Sequence, residues 1–167
     1  MSLTKAFETA YERMKERKWN QIYVFIDIHK TILYPDYGEN KVNKFYPFAK
    51  ETLQLLTQRE DIVLGLYTCS YPKEIEDYLI FFENNGIKFD LVNKNEREKN
   101  TGYGYFNDKP YFNVLLDDKA GFDGEKDWKE IRNYLIKVKR KNYLTKMMKD
   151  DEELGLYGEK EDGYFSK

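Results

Sequence analysis

Ile22-Tyr-Val-Phe-Ile-Asp27-Ile-His29-Lys-Thr31 is the stretch from which the rest of the chain can be read. Its apolar run has the character of a buried strand, and it stops on a carboxylate. His29 and Thr31 follow at alternate positions. Open α/β sheets gather their ligands at the carboxyl ends of their strands, so Asp27 stands where chemistry is expected. An Asp closing one strand is by itself as readily a turn former. The weight comes from the other strand ends.

Working outward, residues 3–19 read as an amphipathic helix, with Phe7, Tyr11 and Met14 at three- and four-residue spacing. A polar, turn-rich stretch follows the first strand from Tyr34, and a helix is expected from about Pro47, carrying Phe48, Leu53 and Leu56 inward. Residues 62–67 read as the second strand, closed by Thr68-Cys-Ser70. Pro72 opens a helix with Ile75, Leu79 and Phe82 on one face, stopped by Asn84-Asn85-Gly86. A short third strand is expected over 89–92, then a polar insert over 93–108. A fourth strand over 112–116 runs into Asp117-Asp118, and a helix from about Glu125 carries Trp128, Ile131, Leu135 and Val138. Strands alternating with helices imply crossover connections. The expected fold is therefore α/β, a three-layer sandwich with a mostly parallel, Rossmann-like sheet.

Length and composition agree with one domain over 1–149. The chain has 167 residues, 41% hydrophobic and 35% charged, enough to bury a core. After Lys149 it turns acidic and Gly-rich, so 150–167 read as a disordered tail. A formal charge of −2 argues against nucleic-acid binding by bulk electrostatics. The single Cys69 excludes an internal disulfide, and no run is apolar and long enough to span a bilayer or serve as a signal peptide. The expected compartment is the cytoplasm, with no membrane partner.

In a parallel sheet the carboxyl ends of the strands share one edge. Asp27, then Thr68 and Ser70, then Asp117-Asp118 should converge there. Clustered carboxylates repel unless a cation sits among them, and an all-oxygen donor set favours a hard ion, Mg²⁺. A hydroxyl can hold an anionic oxygen, and Lys109, just upstream of the fourth strand, can supply positive charge. Together these describe a phosphoryl-transfer site.

These residues resemble the motifs of the haloacid dehalogenase (HAD) superfamily of phosphohydrolases, in order. Phe25-Ile-Asp27-Ile-His29-Lys-Thr31 is similar to its Asp-x-Asp-x-Thr loop, Leu66-Tyr-Thr68 to the second motif, Lys109 to the third, and Leu115-Leu-Asp117-Asp118-Lys-Ala-Gly-Phe-Asp123 to the fourth. The likeness spans about Ile22 to Leu135. Tyr46-Pro-Phe-Ala-Lys-Glu-Thr-Leu53 looks like the small members without a large cap domain, and Leu-Leu-Asp-Asp-Lys looks like the element in 5′(3′)-deoxyribonucleotidases. The resemblance implies Asp27 as nucleophile and Mg²⁺ ligand, the carbonyl of His29 as second ligand and Asp118 as third. Asp117 would lie behind them near Lys109, Thr68 would bind the phosphoryl group, Lys109 would balance its charge, and Asp123 would reach the metal through water. His29 is the departure. Most of these phosphatases carry Asp there as general acid and base, whereas here it is the chain's only histidine, able to do the same proton transfers near neutral pH.

Plainer roles stand beside these. Ser70 can cap the helix entered at Pro72, Asp123 can cap the helix that follows it, and Lys94 or Lys99 can replace Lys109. Cys69 reads as a packed small residue. The basic run over 137–149 reads first as a solvated helix end and second as a polyanion patch. Too little chain precedes Pro47 or separates Pro72 from Lys109 for a cap domain. An open site goes with a large substrate or with an oligomer that closes it, and the tyrosine-rich segments Tyr34–Tyr46 and Tyr103–Tyr111 could stack on a base or sugar. The expected function is Mg²⁺-dependent hydrolysis of a phosphomonoester, a nucleotide or other phosphorylated small molecule, through an aspartyl-phosphate. The alternatives are a phosphatase of nucleic-acid ends and a slow, phosphate-binding relative.

Overall fold

Five apolar residues and their partners set the centre of the molecule. In the computed structural model, which describes residues 3–38 and 42–138, β1 (Ile22–Ile26) is buried along its whole length. It pairs in parallel with β2 (Ile62–Leu66) and with β4 (Val114–Leu116), while β3 (Leu91–Val92) extends the sheet beyond β2. The order is β3-β2-β1-β4, all parallel. The helices are α1 (Thr4–Glu16), α2 (Ala49–Thr57), α3 (Pro72–Asn84) and α4, helical over 127–138. This is an α/β Rossmann-like, three-layer fold with no large cap. Contacts divide the chain into two units, Met1–Asn133 and Tyr134–Lys167, and the sheet lies in the first.

Alternation along β1 assigns its two faces. Tyr23 and Phe25 form a buried cluster with Val63, against which Tyr67, Leu91, Tyr111, Phe112 and Leu115 pack. The insert between β3 and β4 helps to cover this face. Glu98 accepts a hydrogen bond from Tyr23 Oη at 2.9 Å, and the Tyr111 ring meets the Tyr23 ring edge-on. Ile22, Val24 and Ile26 point the other way and are fully buried. α1 packs on β1 and β4, and α2 on β2. Burying a side chain such as Phe25 contributes about 2–3 kcal/mol. Directly across from it in the register is Gly65, where a Cβ would come within 2.7 Å of the Phe25 ring.

Element boundaries differ from the sequence reading for local reasons. The fourth strand begins at Val114 rather than at 112. Asn113 uses its side chain in place of a ladder carbonyl, its Oδ1 accepting from Tyr23 N at 2.8 Å while its own N–H donates to Tyr23 O. The third strand shrinks to Leu91–Val92. α2 starts after Pro47 because Phe48 is left-handed, with φ 64°. The basic run beyond residue 138 and the acidic tail lie outside the described residues. Among the described residues no helix is long and apolar enough to cross a membrane.

Candidate active site

The parallel register delivers the ends of β1, β2 and β4 to one edge. Asp27 N donates to Leu116 O at 2.9 Å and Tyr67 N to Ile26 O at 2.9 Å, so the strand ends are tied to one another. At this edge lies a cavity of about 480 Å³ lined by Asp27, His29, Thr68, Ser70, Asp117 and Asp118, among others. Carboxylate oxygens of Asp27, Asp117 and Asp118 all lie within 4.8 Å of one another.

Each of these groups is held by the backbone around it. The buried Thr31 accepts the Asp118 N–H on its Oγ1 at 3.1 Å, and its carbonyl takes the indole N–H of the fully buried Trp128 at 2.8 Å. The loop after β1 is thereby bound to the end of β4 and to α4. Between His29 and Thr31, Lys30 is left-handed with φ 59°, a sparsely populated conformation for a non-glycine residue. Asp117 Oδ1 accepts the Lys119 N–H at 2.8 Å, which starts the short turn Asp118–Ala120. Thr68 is clasped by Asn93. The Thr68 N–H donates to Asn93 Oδ1 and Asn93 Nδ2 donates to Thr68 O, both at 2.8 Å.

The electrostatics follow from this crowding. The Asp27 carboxyl is pushed up to about 6, first by burial and then by the charges of Asp117 and Asp118. The Ile28 N–H and Lys119 oppose the shift without cancelling it. Three carboxylates gathered this way with no soft donor among them suit a hard divalent cation such as Mg²⁺.

The His29 ring also lines the cavity, its Nε2 2.9 Å from Tyr78 Oη and its face toward Tyr37. Thr68 Oγ1 donates to Ser70 Oγ and accepts the Ser70 N–H, each at 3.2 Å. Ser70 is thus turned toward Thr68, and the end of α3 is served instead by Glu74, whose carboxylate accepts the Tyr71 N–H at 3.1 Å.

Four residues stand otherwise than expected. Lys109 is exposed and does not line the cavity. Lys119, two residues after Asp117, and Lys30 line the cavity in its place. Asp123 does not line it either; its carboxylate accepts from Lys126 Nζ at 2.7 Å and from the Glu125 N–H at 3.0 Å, fixing the turn into α4. The charge of Lys126 holds that carboxyl below its ordinary range. Cys69, expected to pack, is exposed at the cavity. Asp117, placed behind the ligands by the sequence reading, stands with Asp27 and Asp118. Asn93 and Tyr78 were missed. Asn93 had a signal in following directly on the third strand, whereas Tyr78 had none beyond lying one helical turn past Glu74.

No protein-family model matches the chain. No curated protein matches it. Among solved structures, a conserved protein from Bacteroides thetaiotaomicron is similar over 72% of this chain and 93% of its own, at 28% identity and a TM-score of 0.55. That likeness supports the α/β fold.

Proposed function

We propose that this protein is a divalent-cation-dependent phosphomonoester hydrolase of the HAD type, with Asp27 as its nucleophile. The observation that carries the reading is the meeting of Asp27, Asp117 and Asp118 within 4.8 Å, in one cavity with Thr68, His29 and Lys119. A cation bound by these carboxylates would screen the phosphoryl charge and let Asp27 approach it.

The chain's own groups would do the rest. A carboxylate oxygen of Asp27 attacks phosphorus, and the bond from phosphorus to the ester oxygen breaks, leaving an aspartyl-phosphate. The His29 imidazolium gives the departing oxygen its proton. The neutral imidazole then takes a proton from water as that water attacks phosphorus, releasing inorganic phosphate and restoring Asp27. Thr68 Oγ1 binds a phosphoryl oxygen, and Lys119 supplies the charge that the sequence reading gave to Lys109. Tyr37, Tyr67 and Tyr71 line the same cavity and suit a leaving group with a flat face, as in a nucleotide.

The test is phosphate release from phosphomonoesters and nucleotides with Mg²⁺ and with EDTA. The expected result is metal-dependent turnover that falls by more than about a thousandfold in Asp27→Asn and is lowered in Lys119→Ala but not in Lys109→Ala. Turnover that survives Asp27→Asn overturns the reading.

A further inference from the structure

A second and larger cavity, of about 840 Å³, opens at the other end of the strands. Its walls come from the end of α1, the approach to β1, and the insert before β4. Gln21 lies on it and Asp27 on the active-site cavity, so about 20 Å of strand separates the two. The phosphomonoesterase reading uses none of its residues.

Its lining is both basic and aromatic. Arg13, Arg17 and Lys18 supply the charge, and no carboxylate among the described residues forms an ion pair with them. The one acidic group on the wall, Glu98, is engaged by Tyr23 Oη. Trp19, Tyr23, Phe106 and Tyr111 supply the aromatic rings. Tyr111 meets Trp19, Tyr23 and Phe106 edge-on at 6.3, 6.2 and 5.3 Å. Tyr103 also lines the cavity and is fully exposed, leaving its ring faces open.

Helix-end electrostatics explain only part of this. Cations in the last turn favour the α1 carboxyl end, which accounts for Arg13. Arg17, the C-cap of α1, shares that preference and in addition lays its guanidinium over the Trp19 ring at 5.5 Å. Lys18 follows the helix in a left-handed conformation, φ 54°, where glycine is the unstrained choice. The aromatic wall is equally constrained. A Cβ at Gly104 would lie 2.4 Å from the Phe106 ring, and Asn100 Oδ1 fixes the Phe106 N–H at 2.6 Å.

Cations beside aromatic faces are the means by which proteins hold a base and its phosphate without reading sequence. We infer that this cavity binds a nucleotide unit, its base against Trp19 and Tyr103 and its phosphate on Arg13, Arg17 and Lys18. The unit is either a free nucleotide or one residue of a single strand, which share this chemistry.

The test follows Trp19 fluorescence of the full chain in EDTA, titrated with AMP and separately with a 5′-phosphorylated oligothymidylate. Trp128, the other tryptophan, is buried. Saturable quenching by either probe is expected, weakened by salt. It should be weaker by about tenfold or more in Arg13→Gln/Arg17→Gln and in Tyr103→Ala, whose unfolding temperatures check that they fold. The probe that binds identifies the source. Phosphate release in Mg²⁺ should be unchanged in both variants, so the two sites succeed or fail separately. No saturable change with either probe, or equal affinity in the variants, overturns the inference.

Discussion

His29 Nε2 lies 2.9 Å from the phenolic oxygen of Tyr78, which is buried on α3. The imidazole that follows the first strand is therefore oriented by the helix that follows the second. Tyr78 also meets the ring edge-on, with centroids 5.5 Å apart. Tyr78→Phe keeps this packing and removes the hydroxyl. If His29 transfers protons, kcat for phosphate release should fall by about tenfold with KM little changed. Equal kcat in the two proteins would detach the hydroxyl from the chemistry.

The three carboxylates give a pH dependence whose sign can be worked out. Asp27 titrates near 6 when folded, against an ordinary value of 3.8. Between those values the folded metal-free protein keeps a proton that the unfolded chain has lost. Stability should fall as pH rises from about 4 to 6 and level off above. Asp27→Asn removes that fall, so its unfolding temperature should exceed that of the wild type by more at pH 7 than at pH 4.5. A constant gap would contradict the crowding described for this site.

Cation binding reverses the same repulsion. Mg²⁺ at a hundred times its Kd should stabilise the wild type by about 2.7 kcal/mol in thermal unfolding. Asp118→Asn should lose most of that increment, and the increment should shrink below pH 6 as protons compete for Asp27.

The Thr68–Asn93 clasp fixes the hydroxyl end of the site. Asn93→Ala removes both hydrogen bonds and leaves a non-glycine residue at φ 54°, costing about 2 kcal/mol in urea unfolding. Asn93→Gly tolerates the backbone angle but still lacks the clasp. It should be less destabilised and equally impaired in phosphate release.

Across the sheet, Gly65→Ala would drive a methyl into the Phe25 ring directly opposite. A loss of about 1–3 kcal/mol is expected. Phe25→Leu in the same chain should recover part of it.

Much of this was legible in the chain because buried parallel strands are continuous apolar runs. Ile22–Ile26 and the start of β2 stand where the pattern put them, and their ends fix Asp27 and Thr68 at one edge. What failed lay outside such runs. Lys109 has the charge and the order in the chain, but it is exposed and does not line the cavity. Lys119 was passed over inside the very segment that supplied Asp117 and Asp118. The link from Tyr78 to His29 joins residues far apart in sequence, and no local pattern encodes it. Asn113 delays the start of the fourth strand to Val114 by using its side chain where an apolar residue would have used its backbone.

The most direct test of the account is to look for phosphate on Asp27. The protein is mixed with a turned-over phosphomonoester and Mg²⁺, quenched in acid within milliseconds, digested and examined by mass spectrometry. The account predicts one phosphorylated peptide containing Asp27, labile to hydroxylamine and absent in Asp27→Asn and in EDTA. Steady release of phosphate with no such peptide at any quench time, or phosphate carried on another residue, would contradict it.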